Sequence, residues 1–507
     1  MSFKRHKKLK SGQTAVYEVT SYWDSEKKQS RCSSKYLGLI DDQNLLIPKG
    51  KSKRGPRKKE KVFLEPEKLI LDFGNGFWVY EFIKKSPLFR FLEPILSKIP
   101  ALISLIVYRI CQPGPMYNAQ EWRQGNAISV LEKNVSLSSQ DISRYLTYLG
   151  QEEVQRVFFK SYLHKDNLGG AKNIIIDATS LPNSIHSEFN AWGYSDGHVD
   201  QQFRFHFVVD QIRKMPLFYR FVPGNISDVS TLQTTLQQLE ELGLKQNFAL
   251  LDAGYASEEN IKDLRVRQIN FLMRLPAGRS LYKKMVLEHA HEMESLNNSV
   301  IFGSRSLFIK KFKVEDLYGG EGYIYMILDP DRKAKEIQKV IHKSQQDTKV
   351  KKRSEENKTP EELKKAEKIV LKIEENNKYA FLNAGIFMLI SSQEIEINDV
   401  LSAYYTRLSI EQIFGFSKDN LDILPIRCHN DETIQGYFFL QFLLLVVYIG
   451  LRETIKEKHT VEQAIIIMRA LKCKVYDNKI VISEATKMQK EILDAAEILV
   501  PSLVMGI

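Results

Sequence analysis

Two uninterrupted apolar runs constrain the fold of this chain more than anything else in it. One is Ile174–Ile176 within KNIIIDATS, which stops at Asp177, and the other is Phe248–Leu251 within NFALLDAGY, which stops at Asp252. A strand with one wet face alternates apolar and polar residues. A strand apolar at every position is buried on both faces, so it needs a sheet covered on each side. The neighbouring segments fit such a sheet. FRFHFVVD (203–210) and MPLFYRFVP (215–223), joined by the polar turn QIRK, read as an antiparallel hairpin. SDVSTLQTTLQQLEELG reads as a helix opened by Ser227 or Asp228 and closed by Gly243. A second helix is expected over 257–268, and INFLMRL (269–275) is a fifth strand. Strand, hairpin, helix, strand, helix, strand describes a mixed α/β sheet.

The rest of the chain has a different rhythm on each side of this unit. Residues 13–47 alternate short strand-like runs with polar turns, as in a β-meander, and KGKSKRGPRKKE (49–60) is a basic linker. From 66 to 165 the pattern is helical. Two apolar helices, near 87–97 and 99–111, are separated by Pro100 and stopped by QPGP. SLSSQDISRYLTYLG then gives a capped helix, with Ser138 and Asp141 at its start, Ile142, Tyr145, Leu146 and Leu149 buried, and Gly150 as C-cap. Its Ser139, Gln140, Ser143, Arg144 and Thr147 face outward, as on a DNA-recognition helix or on an ordinary packing helix. Residues 276–397 interrupt the sheet. They contain two strand-like runs, SRSLFIKKFKV and GYIYMILD, and a Lys/Glu-rich stretch (331–379) that reads as two helices, the second begun by Thr359, Pro360 and Glu362. GIFMLISS (385–392) is one more strand.

Charge and cysteine content narrow the function class. Residues 1–60 hold 16 Lys and Arg against 6 Asp and Glu, which is nearly all of the net charge of +11. A basic arm on a near-neutral body points to a polyanion partner, most simply nucleic acid, although a solvated tail or an anionic membrane surface gives the same pattern. The four cysteines are scattered without a CxxC pair, so neither structural zinc nor a disulfide framework is expected. The N-terminus MSFKRHKKLK has no apolar core of a secretion signal. The most apolar run, Gly436–Leu451, spans 16 residues and contains Gln441. That is short of the roughly 20 needed to cross a bilayer, and it reads as a buried core helix.

One later stretch, AYYTRLSIEQIFGFSK (403–418), carries polar residues at an informative spacing. At about 100° per residue, Tyr404, Arg407, Glu411 and Lys418 share one narrow helix face. Leu408, Ile410, Ile413 and Phe414 are left to pack. Arg407 and Glu411 taken alone are also an ordinary i,i+4 surface pair. Beside Asp177 and Asp252, however, Glu411 makes a third carboxylate. Acidic side chains at the ends of α/β strands can hold hard divalent cations through oxygen. The histidines form no rival site: His289 and His291 lie in the interruption, and His186, His198 and His206 read as structural or DNA-facing.

These residues resemble the DDE-type transposases of bacterial insertion sequences, in the family named for insertion sequence four. The resemblance rests on IIIDATS, GYSDGHVDQQFRFHFVVD, FVPGNISDVSTL, LLDAGY and the 403–418 helix. That helix reproduces the family's Tyr, Arg, Glu, Lys signature, with two, three and six residues between its members. Weaker similarity extends to LSSQDISRYL and PIRCHNDETIQGYFFLQFLLL. Gly415 inside the signature helix departs from a good helix former.

The resemblance implies an α/β, RNase H-like catalytic core with a mixed sheet, interrupted by an α+β insertion and preceded by a basic β-containing arm and a helical DNA-binding region. The implied organisation is 1–62 arm and linker, 63–170 DNA-end binding, 171–275 and 398–455 catalytic core, 276–397 insertion and 456–507 a C-terminal helical region. It further implies that Asp177, Asp252 and Glu411 hold two Mg²⁺ ions, for which Mn²⁺ may substitute, and that no protein general base is needed. Arg407 and Lys418 would grip DNA phosphates, and Tyr404 would pack on the DNA end. The partners implied are double-stranded DNA, as terminal inverted repeats and target, and a second copy of the chain in the DNA complex. The setting implied is the bacterial cytoplasm, at the nucleoid. An RNase H-like metal nuclease without strand transfer is the alternative. A DNA-binding remnant of a dead element is a third reading, which the three intact carboxylates disfavour.

Overall fold

The computed structural model describes residues 2–40, 45–50, 67–164, 172–195, 197–354, 375–421, 423–428, 430–477, 479–501 and 503–505. The basic stretch 51–60 and the helix expected to begin at Thr359 lie outside them. The chain divides into two compact units, Met1–Glu65 and Pro66–Ile507.

The first unit is an antiparallel sheet in the order β1 (Ser2–Lys8), β2 (Thr14–Asp24), β3 (Gln29–Ile40), β4 (Leu46–Pro48). Strand β1 was not foreseen, because SFKRHKK has no apolar alternation; its pairing with β2 is what makes it a strand. Ala15, Val16 and Val19 of β2 are buried, while all of β1 is exposed. Lys4, Arg5, Lys7 and Lys8 thus charge a sheet edge, which discourages pairing with other chains. At Gly38 a Cβ would lie 1.9 Å from the Ile47 carbonyl oxygen, so only glycine admits β4 there.

The second unit opens with β5 (Leu69–Asp72) and the helical segment. Helices Pro87–Leu96 and Leu102–Cys111 fall where Pro100 and QPGP place them. The helix Ser139–Leu149 starts as expected, with the Asp141 N–H donating to Ser138 Oγ at 3.2 Å. Gly150 sits at its C-cap but has φ −76°, so it is not a left-handed cap. It is glycine because a Cβ there would lie 1.9 Å from Glu432 O, and the converse holds at Gly436, whose Cβ would lie 1.8 Å from Leu146 O. The buried stripe Ile142, Leu146 and Leu149 is therefore pressed against the helix Asp431–Ile455. Ser139, Gln140, Ser143 and Arg144 remain exposed.

Strands β6 (Lys172–Pro182), β7 (Ala191–Ser195), β8 (His198–Asp210), β9 (Pro216–Pro223), β10 (Gln246–Leu251) and β11 (Asn270–Leu275) follow in the sequence that the pattern predicts, with β7 added. The sheet runs β8–β6–β10–β11, with β9 on the outer edge of β8 and β7 pairing the start of β8. β6, β10 and β11 are parallel, β8 runs antiparallel to β6, and β9 runs antiparallel to β8. Ile174, Ile175, Ile176, Ala249, Leu250 and Leu251 are all at most 1 % exposed, as runs buried on both faces must be.

The interruption does not build a sheet of its own. β12 (Ser299–Phe302), β13 (Arg305–Val314), β14 (Gly322–Leu328) and β15 (Ile386–Ser391) extend the same sheet through β15, which pairs antiparallel with β11. Of the charged stretch, Pro330–Ser354 is helical as expected. The C-terminal region was expected to be helical and is so only in part. Between and after its helices lie β16 (Lys472–Val475), β17 (Lys479–Ile482) and β18 (Leu503–Met505), in a small antiparallel sheet with β5. Four-residue strands carry too little pattern to be read, and the β16–β5 pairing joins segments some four hundred residues apart.

Asp431–Ile455 is, among the described residues, the one helix long and apolar enough to cross a membrane, and 89 % of its apolar window is buried inside the protein. It is the central core helix. Phe438 packs on Phe205 and Phe221 at ring-centroid distances of 5.0 and 4.8 Å, and Phe442 on Phe159 and Tyr219 at 5.2 and 5.5 Å. The four cysteines are unpaired.

Candidate active site

Strand register places the first two carboxylates. The parallel ladder of β6 and β10 ends at the pair Ile176 and Leu251. Asp177 and Asp252 are the next residues on each strand, so they emerge side by side, about one strand spacing of ~4.8 Å apart, on one face of the sheet. Asp177 does not end its strand, as the apolar run suggested. β6 continues to Pro182, paired only with β8 beyond this point. What ends at Asp177 is the parallel neighbour, and that opens the crevice.

Asp177 is 9 % exposed. Burial pushes its carboxyl up to about 6; Arg407 and the Ala178 N–H pull it down, and Asp252 adds to the rise. Its Oδ1 accepts from the Ala178 N–H at 2.9 Å and its Oδ2 from Arg407 Nη1 at 2.6 Å. Asp252 is half-buried, and its Oδ1 accepts from the Tyr404 hydroxyl at 3.2 Å.

The third carboxylate arrives on a helix that is not continuous. The sequence predicts one helix over 403–418. The structure has Ile397–Tyr405, a break at Thr406 and Arg407, Leu408–Gly415, and a π turn Phe416–Asn420. Hydroxyls cause the break: Thr406 Oγ1 donates to Ala403 O at 2.6 Å and Ser409 Oγ to Thr406 O at 2.7 Å. Locally the backbone bonds tighten to i→i+3, as from Arg407 N to Tyr404 O. Tyr404, Arg407 and Glu411 nevertheless still converge. Arg407 Nη2 lies 3.0 Å from Glu411 Oε1, and its guanidinium 5.9 Å from the Tyr404 ring centroid. Lys418 lies in the π turn and is exposed, as Glu411 is.

Asp177, Asp252, Tyr404, Arg407 and Glu411 thus meet in one place. Tyr404 is 5 % exposed, with its ring packed inward beside Arg407 and Tyr405. Burial, then the neighbouring Asp252, raises its pKa, so the hydroxyl stays protonated and donates to that carboxylate. Tyr404→Phe keeps the ring and removes this bond. The single-turnover rate of the reaction run at this site is expected to fall about tenfold, with the melting temperature nearly unchanged.

A supporting layer under the Asp252 turn was not singled out from the sequence. The Tyr255 hydroxyl lies 2.9 Å from Nδ1 of His206, which burial, then Arg204 and Arg220, pull down to about 3 and so keep neutral. Asn260 Nδ2 donates to Tyr255 O at 2.9 Å and to Val229 O at 2.8 Å, and Arg204 Nη2 pairs with Asp228 Oδ2 at 2.7 Å. The signal was available in FRFHF: Arg204 and His206 alternate with Phe203, Phe205 and Phe207, which marks a polar support on the opposite face. His206 is structural, while His186 and His198 are exposed. His289 and His291 lie near Glu288 and Glu292 and far along the chain from the carboxylates.

The donor set fits a hard divalent cation: three carboxylates with oxygen ligands only, gathered around a positive charge that Arg407 supplies here. Among the described residues, however, no three Asp, Glu, His or Cys side chains converge closely enough to hold a metal as they stand.

Residues 169–447 match a family model described as a transposase DDE domain. No curated protein matches the chain. Among solved structures, the chain is similar to a piggyBac transposase in a cryo-EM structure of its synaptic complex with hairpin DNA, at 8 % identity and a TM-score of 0.39, over 83 % of this chain and 79 % of that one.

Proposed function

This chain belongs to the family of transposases with a DDE domain, and from that premise we propose that Asp177, Asp252 and Glu411 are its catalytic carboxylates. The protein is a DNA transposase, an enzyme that cleaves DNA and transfers the cut strand. Enzymes of this family use divalent metal ions. The observation that carries the site assignment is the meeting of the three carboxylates, drawn from two strand ends and a distant helix, around Arg407.

The finer reading is an insertion-sequence-four-type enzyme with an RNase H-like core. The strand order β9–β8–β6–β10–β11, with β6, β10 and β11 parallel, supports it. Asp177, Asp252 and Glu411 would hold two Mg²⁺ ions, with Mn²⁺ able to substitute. The bound cations would polarise the scissile phosphodiester and activate the attacking water or 3′-hydroxyl. Tyr404 orients Asp252, while Arg407 and Lys418 take phosphates beside the scissile bond. The exposed basic strand β1 and the outward face of the Ser139–Leu149 helix are the surfaces proposed to bind transposon ends. A homodimer pairs the two ends.

Incubating the protein with Mg²⁺ and DNA that carries the inverted repeats flanking its gene tests this reading. Nicked ends and covalently joined strand-transfer products are expected. Cut ends without any joined product would favour the nuclease alternative.

A further inference from the structure

We propose that Arg407 is the resident cation of the carboxylate cluster: it holds the site closed to divalent metal until a DNA phosphate draws it away, so that phosphate and metal bind cooperatively. This rests on the reading of Asp177, Asp252 and Glu411 as the metal-binding carboxylates.

Four observations converge on it. Arg407 does not merely touch the cluster but spans it, with Nη1 2.6 Å from Asp177 Oδ2 and Nη2 3.0 Å from Glu411 Oε1. Asp177 has both oxygens engaged, one by this guanidinium and the other by the Ala178 N–H. The guanidinium is itself largely buried, at 17 % side-chain exposure, whereas Glu411 is 49 % exposed. Arg407 therefore lies between the buried carboxylate and the outer one. Finally, among the described residues no three His, Cys, Asp or Glu side chains are gathered closely enough to hold a metal.

The physical consequence is competition. A buried carboxylate such as Asp177 needs a compensating positive charge, and one cation within contact distance excludes a second of like sign. The guanidinium can satisfy this need without metal, and it can leave only for an anion that matches its planar fork. A phosphate does so bidentately. The helix break at Thr406 and Arg407 leaves this residue in a turn of i→i+3 bonds rather than the regular i→i+4 ladder. Because coupling is reciprocal, phosphate that tightens metal binding must itself be bound more tightly by the metal-loaded protein. The device would keep the hydrolytic site unloaded away from DNA.

The test measures Mn²⁺ binding to the full chain by electron paramagnetic resonance of the free ion. The comparison is between wild type, Arg407→Gln and Asp252→Asn, each with and without a duplex oligonucleotide carrying the flanking inverted repeat. Without DNA, Arg407→Gln is expected to bind Mn²⁺ about tenfold more tightly than wild type, within the usual range of such couplings. The duplex is expected to tighten wild type by a similar factor and Arg407→Gln hardly at all. If Arg407→Gln fails to fold, Arg407→Lys serves, since it keeps the charge but cannot span both carboxylates, and an intermediate gain is expected. Mn²⁺ affinity in either Arg407 variant that is equal to or weaker than wild type, with Asp252→Asn impaired, would overturn the proposal alone. Undiminished Mn²⁺ binding by Asp252→Asn would overturn the site assignment beneath it.

Discussion

Replacing Asp252 by alanine, Asp177 by alanine or Glu411 by glutamine is expected to slow end cleavage on the order of a thousandfold or more, while the protein still binds its DNA ends. Asp177 and Asp252 stand side by side because the parallel register of β6 and β10 ends one residue before them, and Glu411 reaches them through Arg407. The nearby carboxylate Asp228 is paired with Arg204, and His206 is buried at 1 % exposure. The surfaces proposed to bind DNA, β1 and the Ser139–Leu149 helix, are untouched by these substitutions. Gel-shift binding and single-turnover cleavage on one protein preparation separate the two effects. Cleavage that survives in any of the three variants would remove that residue from the site.

The second large effect lies in the core. Phe438→Ala is expected to destabilise the second unit by about 3–5 kcal/mol, read as a lower midpoint in chemical denaturation. Phe438 is fully buried, and its ring packs between the sheet residues Phe203, Phe205 and Phe221 at 5.8, 5.0 and 4.8 Å. The helix it sits on cannot settle inward to fill the gap. Its other side is already at backbone contact with the Ser139–Leu149 helix through Gly150 and Gly436. A cavity that cannot collapse costs the full packing loss. The same strand, β8, sets Phe207 opposite Asp177, so reduced cleavage is expected to accompany the lost stability. A denaturation midpoint close to wild type would show that this layer is not the rigid floor described here.

The site was legible in the sequence to the extent that its residues were tied to local periodicity. The apolar runs ending near Asp177 and Asp252 implied a doubly covered sheet, and the spacing of Tyr404, Arg407 and Glu411 survived the break in their helix. The π turn at Phe416–Asn420, in which the exposed Lys418 sits, is a backbone choice that side-chain spacing does not encode. Asp177 looked like a strand end because its apolar run stops there, yet β6 continues on β8 alone. The layer of His206, Tyr255, Asp228 and Asn260 depends on contacts between segments distant in sequence, and Tyr404 turned inward for the same reason. β5, β16, β17 and β18 escaped notice because strands of three or four residues owe their form to distant partners rather than to their own pattern. Gly150 shows the converse error: the residue was placed correctly at a helix end, but close approach of Glu432, not a left-handed turn, requires it.

If Asp252 and its partners hold the metal that DNA cleavage uses, exchanging an oxygen ligand for sulfur must change which metal supports cleavage. A thiolate is a poor ligand for Mg²⁺ and a better one for Mn²⁺. Asp252→Cys is therefore expected to be inactive on inverted-repeat DNA in Mg²⁺ and to recover measurable cleavage in Mn²⁺, with wild type active in both. Full activity of Asp252→Cys in Mg²⁺, or equal loss in both metals, would contradict the account.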